Sequence, residues 1–349
     1  MSDTESCPPS RKRLRDDALQ QGPRKKARAA DPLVHHGRHF GRTVHALCNV
    51  HAVITNGVLR LGELSRQPEE SFTSEQRRAF EVFRRMCQII PTLEDRLLDP
   101  NEDEDDAEEI AKQIQKGISS ARSDDTKSLK GPILDWITPR DQPLLPPIAR
   151  NQKINRGFHH EVTGALLCPV QLDWSDPEVK AALSSGELRV PGDHWPLCLY
   201  ARCKFDPEDP WNGFLKNNIL VSAYKHIFTS PSSVEKEPKA TRSGNARIHG
   251  MTNVTAASIV YVATQARFAL SSSSVFSRTD NVTDSERFYN SLLEFLEENE
   301  EQQNVNALLV WWNRQIFPTY SSARQPLHEG TALARFRDKA RNRRAIGYS

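Results

Sequence analysis

The sequence predicts a mainly α-helical protein with a helical hairpin region, an irregular helical C-terminal domain and a disordered basic N-terminus. Three observations lead to this prediction. Apolar residues recur at spacings of three and four along several segments, period-two alternation is scarce, and residues 1–32 contain almost no aliphatic side chains. The chain of 349 residues is long enough for one or two folded domains.

The first predicted helices form the hairpin region, residues 37–137. From Gly41 onward, alternating spacings of three and four predict one helix whose heptad seam consists of Val44, Leu47, His51, Ile54, Val58 and Leu61. Thr73 and Gln76 have the spacing of a capping box, which predicts the start of a second helix that Pro91 ends. A third helix is predicted from the apolar residues Ala107, Ile110, Ala111, Ile114 and Ile118.

A proline-rich segment follows the hairpin region. Residues 138–147 contain four prolines, which fix φ and remove backbone donors, so an extended linker and a domain boundary are predicted at 138–157. The expected organisation is a disordered basic tail (1–36), a helical region (37–137), this linker, a helical domain (158–320) and a basic C-terminal tail or helix (321–349).

Local signals mark the helices of the predicted C-terminal domain. Asp176 and Pro177 have the character of an N-cap and a first helical residue, and Gly186 ends that helix. A capping box from Thr283 to Glu286 opens a later helix. Further helices are predicted at 212–228, at 252–270, from about 305 to Pro318, and at 330–344. The apolar stretch at 251–270 is too polar for a membrane span, and no membrane association is expected.

Charge is segregated along the chain although its net value is only +2. Residues 1–42 hold ten basic against five acidic side chains, whereas residues 94–109 hold ten acidic side chains and one arginine. The first thirty residues lack the apolar segment of a secretory signal. The segregation of charge predicts acidic partners for the basic ends of the chain.

Two basic clusters near the N-terminus have the spacing of a bipartite nuclear import signal. Ten residues separate the first cluster from the second, and together they comprise Lys12, Arg13, Arg24, Lys25, Lys26 and Arg28. An import receptor is therefore the predicted partner and the nucleus the predicted location. The alternatives are a solvated basic tail and a contact with nucleic-acid phosphates, since such contacts are independent of base sequence.

Two further basic segments have the composition of phosphate-binding sites. The loop at 236–250 combines glycine and serine with Lys239, Arg242, Arg247 and His249, which can offer backbone N–H groups and guanidinium forks to a phosphate. A C-terminal helix would place on one face Arg337, Arg341 and Arg344. A polar connection and a solvated tail are the alternative interpretations.

Enzymatic signals are weak. The sequence has no G-x-S-x-G elbow, and we predict no cofactor and no metal site. His194, Cys198 and Cys203 are suitable zinc ligands but lack a paired C-x₂-C motif. Asp280, Asp284 and Glu286 could together hold Mg²⁺ for nuclease chemistry, although Asp284 and Glu286 are better explained as capping and dipole residues of a helix start.

Four long strings stand out in the second half of the chain: AYKHIFTSPSSVE (223–235), KATRSGNARIHGM (239–251), ATQARFALSSSSVFSRTDNVTDSERFYNSLL (263–293) and LLVWWNRQIFP (308–318). On these strings, residues 211–320 resemble a large family of uncharacterised fungal proteins, expanded in basidiomycetes. The resemblance implies no activity, because none is established for that family. Basic, low-complexity ends are shared by its members.

The leading hypothesis from the sequence is a non-enzymatic nuclear protein that binds nucleic acid or chromatin-associated proteins. The alternatives are a Mg²⁺-dependent nuclease or mobile-element-derived enzyme, and a helical scaffold for protein interactions. The oligomeric state is left open by the sequence.

Overall fold

The computed structural model describes residues 32–62, 65–99, 104–139, 142–229, 244–276 and 284–317. These residues form thirteen α-helices and contain no β-strand, so the predicted mainly α fold is confirmed for the described part of the chain. Their bounds are α1 Pro32–Thr43, α2 Val50–Leu61, α3 Ser74–Ile89, α4 Leu93–Leu97, α5 Glu104–Leu129, α6 Pro132–Ile137, α7 Glu161–Leu167, α8 Pro177–Ser185, α9 Asn218–Tyr224, α10 Asn245–Ile248, α11 Ala256–Leu270, α12 Ser285–Glu297 and α13 Gln302–Ile316. None of these helices is long and apolar enough to cross a membrane.

Helix α11 is the centre of the fold. Every residue from Ala257 to Leu270 is buried, and α11 packs against α1, α5, α7, α9 and α12. A capping box starts it, because the Thr255 hydroxyl accepts from the Ser258 backbone N–H while the Ser258 hydroxyl accepts from that of Thr255. A helix that is buried on all sides needs other helices around it, and α11 has them.

Helices α1 and α5 form the closest helix pair, and glycines bring their backbones together. A Cβ at Gly37 would lie 2.4 Å from the Ile114 carbonyl oxygen, and one at Gly117 would lie 2.3 Å from the Val34 carbonyl oxygen. No side chain larger than hydrogen fits at either crossing point. The sequence pattern of glycines on two amphipathic helices therefore determines how deeply α1 sits against α5.

The predicted heptad helix is wrong, because the chain breaks between α1 and α2. Helix α1 ends at Thr43, and Asn49 begins α2 by accepting a hydrogen bond from the Ala52 backbone N–H. Val44 and Leu47 lie in the break and enter two different apolar clusters. They therefore cannot belong to one continuous seam, and His51 is exposed on α2.

Other local predictions are confirmed. Thr73 and Gln76 form the predicted capping box at the start of α3. The third predicted helix is α5, which buries the expected Ile110, Ala111, Ile114 and Ile118. Asp176 caps α8 by accepting from the Glu178 backbone N–H, and Gly186 ends it with φ 79°.

Two predicted boundaries differ from the structure. Helix α1 begins at Pro32, inside the tail predicted to be disordered at 1–36; the rest of that tail, 1–31, lies outside the described residues, as does the predicted helix at 330–344. The predicted linker at 138–157 does not separate two cores, since the larger cluster contains Leu129 and Ile133 together with residues of α9, α11 and α12.

The helix predicted at 212–228 begins later, at Asn218, because Asn217 is its N-cap. The Asn217 side chain accepts from the Ile219 backbone N–H and donates to the Tyr200 carbonyl at 2.8 Å. Helix α9 follows and continues as a π-helical turn over Lys225–Thr229. This turn leads the chain to the base of the loop that the sequence singled out.

Candidate functional site

Only two of the predicted contact residues, Arg247 and His249, belong to the part of the chain that the structure describes. Outside it lie Lys12, Arg13, Arg24, Lys25, Lys26, Arg28, Lys239, Arg242, Arg337, Arg341 and Arg344. The geometry of the candidate site therefore rests on Arg247, His249 and the residues around them.

The two ends of segment 230–243 meet at its base. A Cβ at Gly244 would lie 1.5 Å from the Thr229 carbonyl oxygen, so only glycine fits at this position. The Asn245 side chain donates to the Ile227 carbonyl at 2.5 Å and holds the returning chain in place. The short helix α10 then exposes Arg247 to solvent.

His249 follows α10 and lies between two histidines of α1. Its ring centroid is 4.3 Å from that of His35, with an interplanar angle of 28°, and 4.3 Å from that of His39, with an angle of 9°. We refer to these three residues as the histidine stack. It joins the first turns of α1 to the chain that returns at Gly244, although the two are distant in sequence.

Two members of the histidine stack, His39 and His249, are uncharged at neutral pH. Burial lowers the pKa of His249 to about 3, and the neighbouring His39, His35 and Arg42 lower it further in the same direction. Burial, with Arg42 and His36, lowers the pKa of His39 to about 4. Two neutral imidazoles can therefore stack face to face without charge repulsion at pH 7.

Buried polar contacts fix α1 beneath the stack. The Asp125 carboxylate of α5 accepts hydrogen bonds from Arg42 of α1 and from the Tyr261 hydroxyl of α11 at 2.6 Å. The Thr255 hydroxyl donates to the Thr43 carbonyl at 2.9 Å. The position of the histidine stack is thus set by three helices rather than by α1 alone.

A cleft of about 770 Å³ opens beside His39 and His249. Its apolar lining comprises Val44, Val82, Ile89, Met251, Val254, Leu296, Val305 and Leu309. Its rim charges are paired: Arg78 contacts Glu294 at 2.9 Å and Glu297 at 3.1 Å, and Arg85 contacts Glu81 at 3.0 Å. Polar side chains, among them Thr252, Asn253 and Gln302, share the lining, so the cleft offers a mixed apolar and polar surface with a charge-balanced rim.

The carboxylates considered for Mg²⁺ binding lie elsewhere. Asp284 and Glu286 line a groove of about 520 Å³ together with Asp193, while Asp280 and Thr283 lie outside the described residues. The expected capping role of Asp284 is wrong, because its carboxylate accepts from the Gly192 backbone N–H at 2.9 Å and makes no capping bond. Within the described ranges, no group of three His, Cys, Asp or Glu residues is placed to hold a metal ion.

The three residues considered as zinc ligands lie in different environments. His194 is exposed, Cys198 is buried, and Cys203 accepts from the Asn217 amide at 3.4 Å. Burial raises the pKa of the Cys198 thiol, which disfavours the thiolate that zinc requires. Cys198 and Cys203 are thus core and near-core residues, whereas His194 lies at the surface.

His35 and His39 were not predicted as site residues, because His35 falls within the tail predicted to be disordered at 1–36 and His39 follows it closely. One pattern could have shown that these histidines lie on a helix. Gly37 and Gly41 are four residues apart, which places them on one face of a helix that starts before Gly41. The contact with His249 left no local signal, since it joins residues more than two hundred positions apart.

Comparison with known proteins identifies a family. A model of a family of unknown function (DUF6698) matches residues 116–317, which is more than half of the chain. The matched region starts in α5 and ends just after α13, so it extends further toward the N-terminus than the resemblance at 211–320. Searches of curated proteins and of solved structures returned no match.

Proposed function

The chain belongs to the family of unknown function (DUF6698), and from its own geometry we propose that it is a non-enzymatic nuclear protein that binds nucleic acid. The resemblance at 211–320 leads us to propose also that this family is large and fungal. The proposal on function concerns basic segments of the chain and the described residues to which they are attached.

The observation that carries the proposal is the position of His249 between His35 and His39. Segment 1–31, with the cluster Arg24–Arg28, joins the described chain at Pro32, three residues before His35. Segment 230–243, with Lys239 and Arg242, joins it at Gly244, five residues before His249. The histidine stack therefore brings together the attachment points of two basic segments.

The region around these two attachment points is suited to binding a polyanion. Lys and Arg side chains that neutralise phosphates release condensed counterions, which favours binding whatever the base sequence. Arg247, two residues before His249, adds an exposed guanidinium, and guanidinium forks bind phosphate oxygens in pairs. In this proposal Arg337, Arg341 and Arg344 supply further phosphate contacts from the C-terminal segment.

The cleft supports a second candidate function, that of a scaffold for chromatin-associated proteins. Its lining mixes apolar residues with polar ones such as Asn253 and Gln302, and its rim charges are paired, which is the composition of a protein–protein interface. A nuclease is the less favoured alternative, because Asp284 already accepts a backbone hydrogen bond and Asp193 pairs with Arg287 at 2.8 Å.

Fluorescence anisotropy of labelled DNA with the full chain tests the proposed function. We expect salt-dependent binding. In the triple variant Lys239→Ala, Arg242→Ala and Arg247→Ala, we expect the magnitude of the negative slope of log affinity against log salt to fall by about three. Magnesium is included in a parallel series, so that cleavage of the DNA reveals a nuclease.

A matched variant controls for the lost charge. Arg66, Arg189 and Lys204 are exposed and border neither the histidine stack nor the cleft, so replacing all three by alanine removes the same charge elsewhere. Equal losses in both triple variants would show a non-specific charge effect. Absence of binding at low salt would overturn the proposed function and leave the scaffold.

The nuclear address is tested separately. We propose that an import receptor binds Lys12, Arg13, Arg24, Lys25, Lys26 and Arg28. A fluorescent fusion carrying Lys25→Ala and Lys26→Ala is expected to move from the nucleus to the cytoplasm. A fusion that stays nuclear would contradict this assignment and direct attention to the C-terminal basic segment.

A further inference from the structure

Two buried cations lie at the C-terminal end of α11, far in sequence from the histidine stack. Arg156 is fully buried, and its guanidinium donates to the Ala269 carbonyl at 2.8 Å and to the carbonyls of Ala149 and Arg150. Lys153 is 6% exposed; its ammonium donates to the Ser273 carbonyl at 2.5 Å and lies 3.3 Å from the centre of the Phe268 ring.

Carboxylates do not compensate these charges among the described residues. The partners of Lys153 and Arg156 are carbonyl oxygens and one aromatic ring, and the Nε of Arg156 is buried without an acceptor. Lys130 is a third positive neighbour. Burial, then Arg156 and Lys130, lowers the pKa of Lys153 to about 7. Unpaired buried charge is costly, so an anion here would stabilise the fold.

A serine-rich turn covers this region. Residues 271–274 are four consecutive serines, of which Ser274 is exposed. Gly157 lets the turn approach, since a Cβ there would lie 3.1 Å from the Ser272 backbone nitrogen. Ile154 and Val275, the neighbours of Lys153 and of the turn, are each 70% exposed. The two cations therefore lie close beneath the protein surface.

We propose that Lys130, Lys153 and Arg156 form a binding site for a phosphate-class oxyanion. Two sources share this chemistry, namely inorganic phosphate from solution and a phosphoserine at 272–274. Both supply strong acceptor oxygens, which the Arg156 Nε lacks. Both also supply negative charge, which balances the excess positive charge of the three residues. This site is independent of the proposed nucleic-acid function.

The covalent source needs a protein kinase. In that reaction a serine Oγ forms a bond to the γ-phosphorus of a nucleoside triphosphate, the bond to the bridging oxygen breaks, and the nucleoside diphosphate leaves. The hydroxyl proton passes to a base of the kinase. The product is a dianionic phosphoserine next to Lys153, held by charge-assisted hydrogen bonds.

Thermal unfolding of the full chain in inorganic phosphate, against sodium chloride of equal ionic strength, tests the site. Phosphate stabilises many proteins by exclusion from their surface, so a matched pair of variants is needed. We expect a saturable rise in Tm for the wild type and for Lys204→Met, whose side chain is exposed elsewhere. We expect the saturable part to vanish in Lys153→Met.

Each outcome decides for or against the site. A rise that is equal in Lys153→Met and Lys204→Met, or absent from the unphosphorylated wild type, overturns the proposal. If Lys153→Met does not fold, Lys130→Met provides the same comparison, because Lys130 is only half-buried.

Intact-mass analysis of protein from eukaryotic cells separates the two sources. A mass increase of one phosphoryl group mapped to 272–274, with no further response to phosphate, identifies the phosphoserine. An unmodified protein that responds to phosphate identifies the free ion.

Discussion

Arg42 and Asp125 form a buried ion pair in which the guanidinium Nε and one terminal nitrogen each donate to a different carboxylate oxygen at 2.8 Å. Both side chains are less than one-tenth exposed. One helix turn away, the same two helices carry a second pair, Arg38 and Asp124, which is also 2.8 Å apart but open to solvent. The two pairs therefore compare a buried contact of two hydrogen bonds with an exposed contact of one, between the same two helices.

Replacing Arg42 by methionine should lower the free energy of unfolding by about 3–5 kcal/mol, because Asp125 then remains as a buried charge without its cation. Replacing Arg38 by methionine should cost less than about 1 kcal/mol, since an exposed pair is screened by water. Urea denaturation of both variants measures the difference. Similar losses would mean that Asp125 finds another partner when Arg42 is removed.

The contact between α1 and α5 depends on the absence of side chains at the crossing point. Gly37→Ala or Gly117→Ala should destabilise the fold by about 1–3 kcal/mol, because the new methyl group meets a carbonyl oxygen of the other helix. Gly62→Ala is the control, since a Cβ there lies 3.4 Å from its nearest neighbour. An equal effect at Gly62 in urea denaturation would refute this explanation of the helix pair.

Much of the fold could be predicted because helix signals are local. The capping box of Thr73 and Gln76 and the start of α8 at Asp176 depend on residues within one turn. The break after Thr43 could not be predicted, because the spacing of Val44 and Leu47 fits a helix although the two residues enter different clusters. Tertiary packing decided between the two conformations.

The candidate site was only partly predictable for the same reason. Arg247 and His249 were found from the composition of their loop. His35 and His39 were not, because stacking of imidazole rings across distant segments leaves no periodic pattern. The ion pair of Arg42 and Asp125 could not be predicted either, since charged residues on helices are usually exposed.

The family region should not fold without the helices that precede it. A fragment of residues 116–317 lacks α1, so Asp125 and Tyr261 lose Arg42, and the α1-facing surface of α11 is exposed. We expect residues 32–317 to unfold cooperatively on heating and the shorter fragment to show no cooperative transition. Cooperative unfolding of 116–317 at a similar temperature would contradict the role assigned to α1.

Stability should fall on mild acidification because of the histidine stack. Unfolded histidines take up protons near pH 6.5, whereas folded His39 and His249 stay neutral down to about pH 4 and pH 3. The folded pKa values are depressed, so their contribution to stability is complete above pH 6.5 and is lost as pH falls toward 4.

Urea midpoints at pH 7.5 and pH 5 measure this loss for the wild type and for the double variant His39→Phe and His249→Phe. The double variant keeps aromatic rings but has no proton to bind, so its midpoint should fall less between the two pH values. Parallel curves would show that other groups cause the pH dependence.

The central claim, that the histidine stack unites two basic segments into one nucleic-acid site, is tested most directly by the salt dependence of DNA binding by His249→Ala. This substitution removes no charge at pH 7, since the pKa of His249 is about 3. His194→Ala, at an exposed histidine outside the stack, is the control. We predict that His249→Ala lowers both the affinity and the slope of log affinity against log salt, because one basic segment no longer contacts the same DNA molecule. An unchanged slope and affinity in a folded His249→Ala protein would contradict the claim.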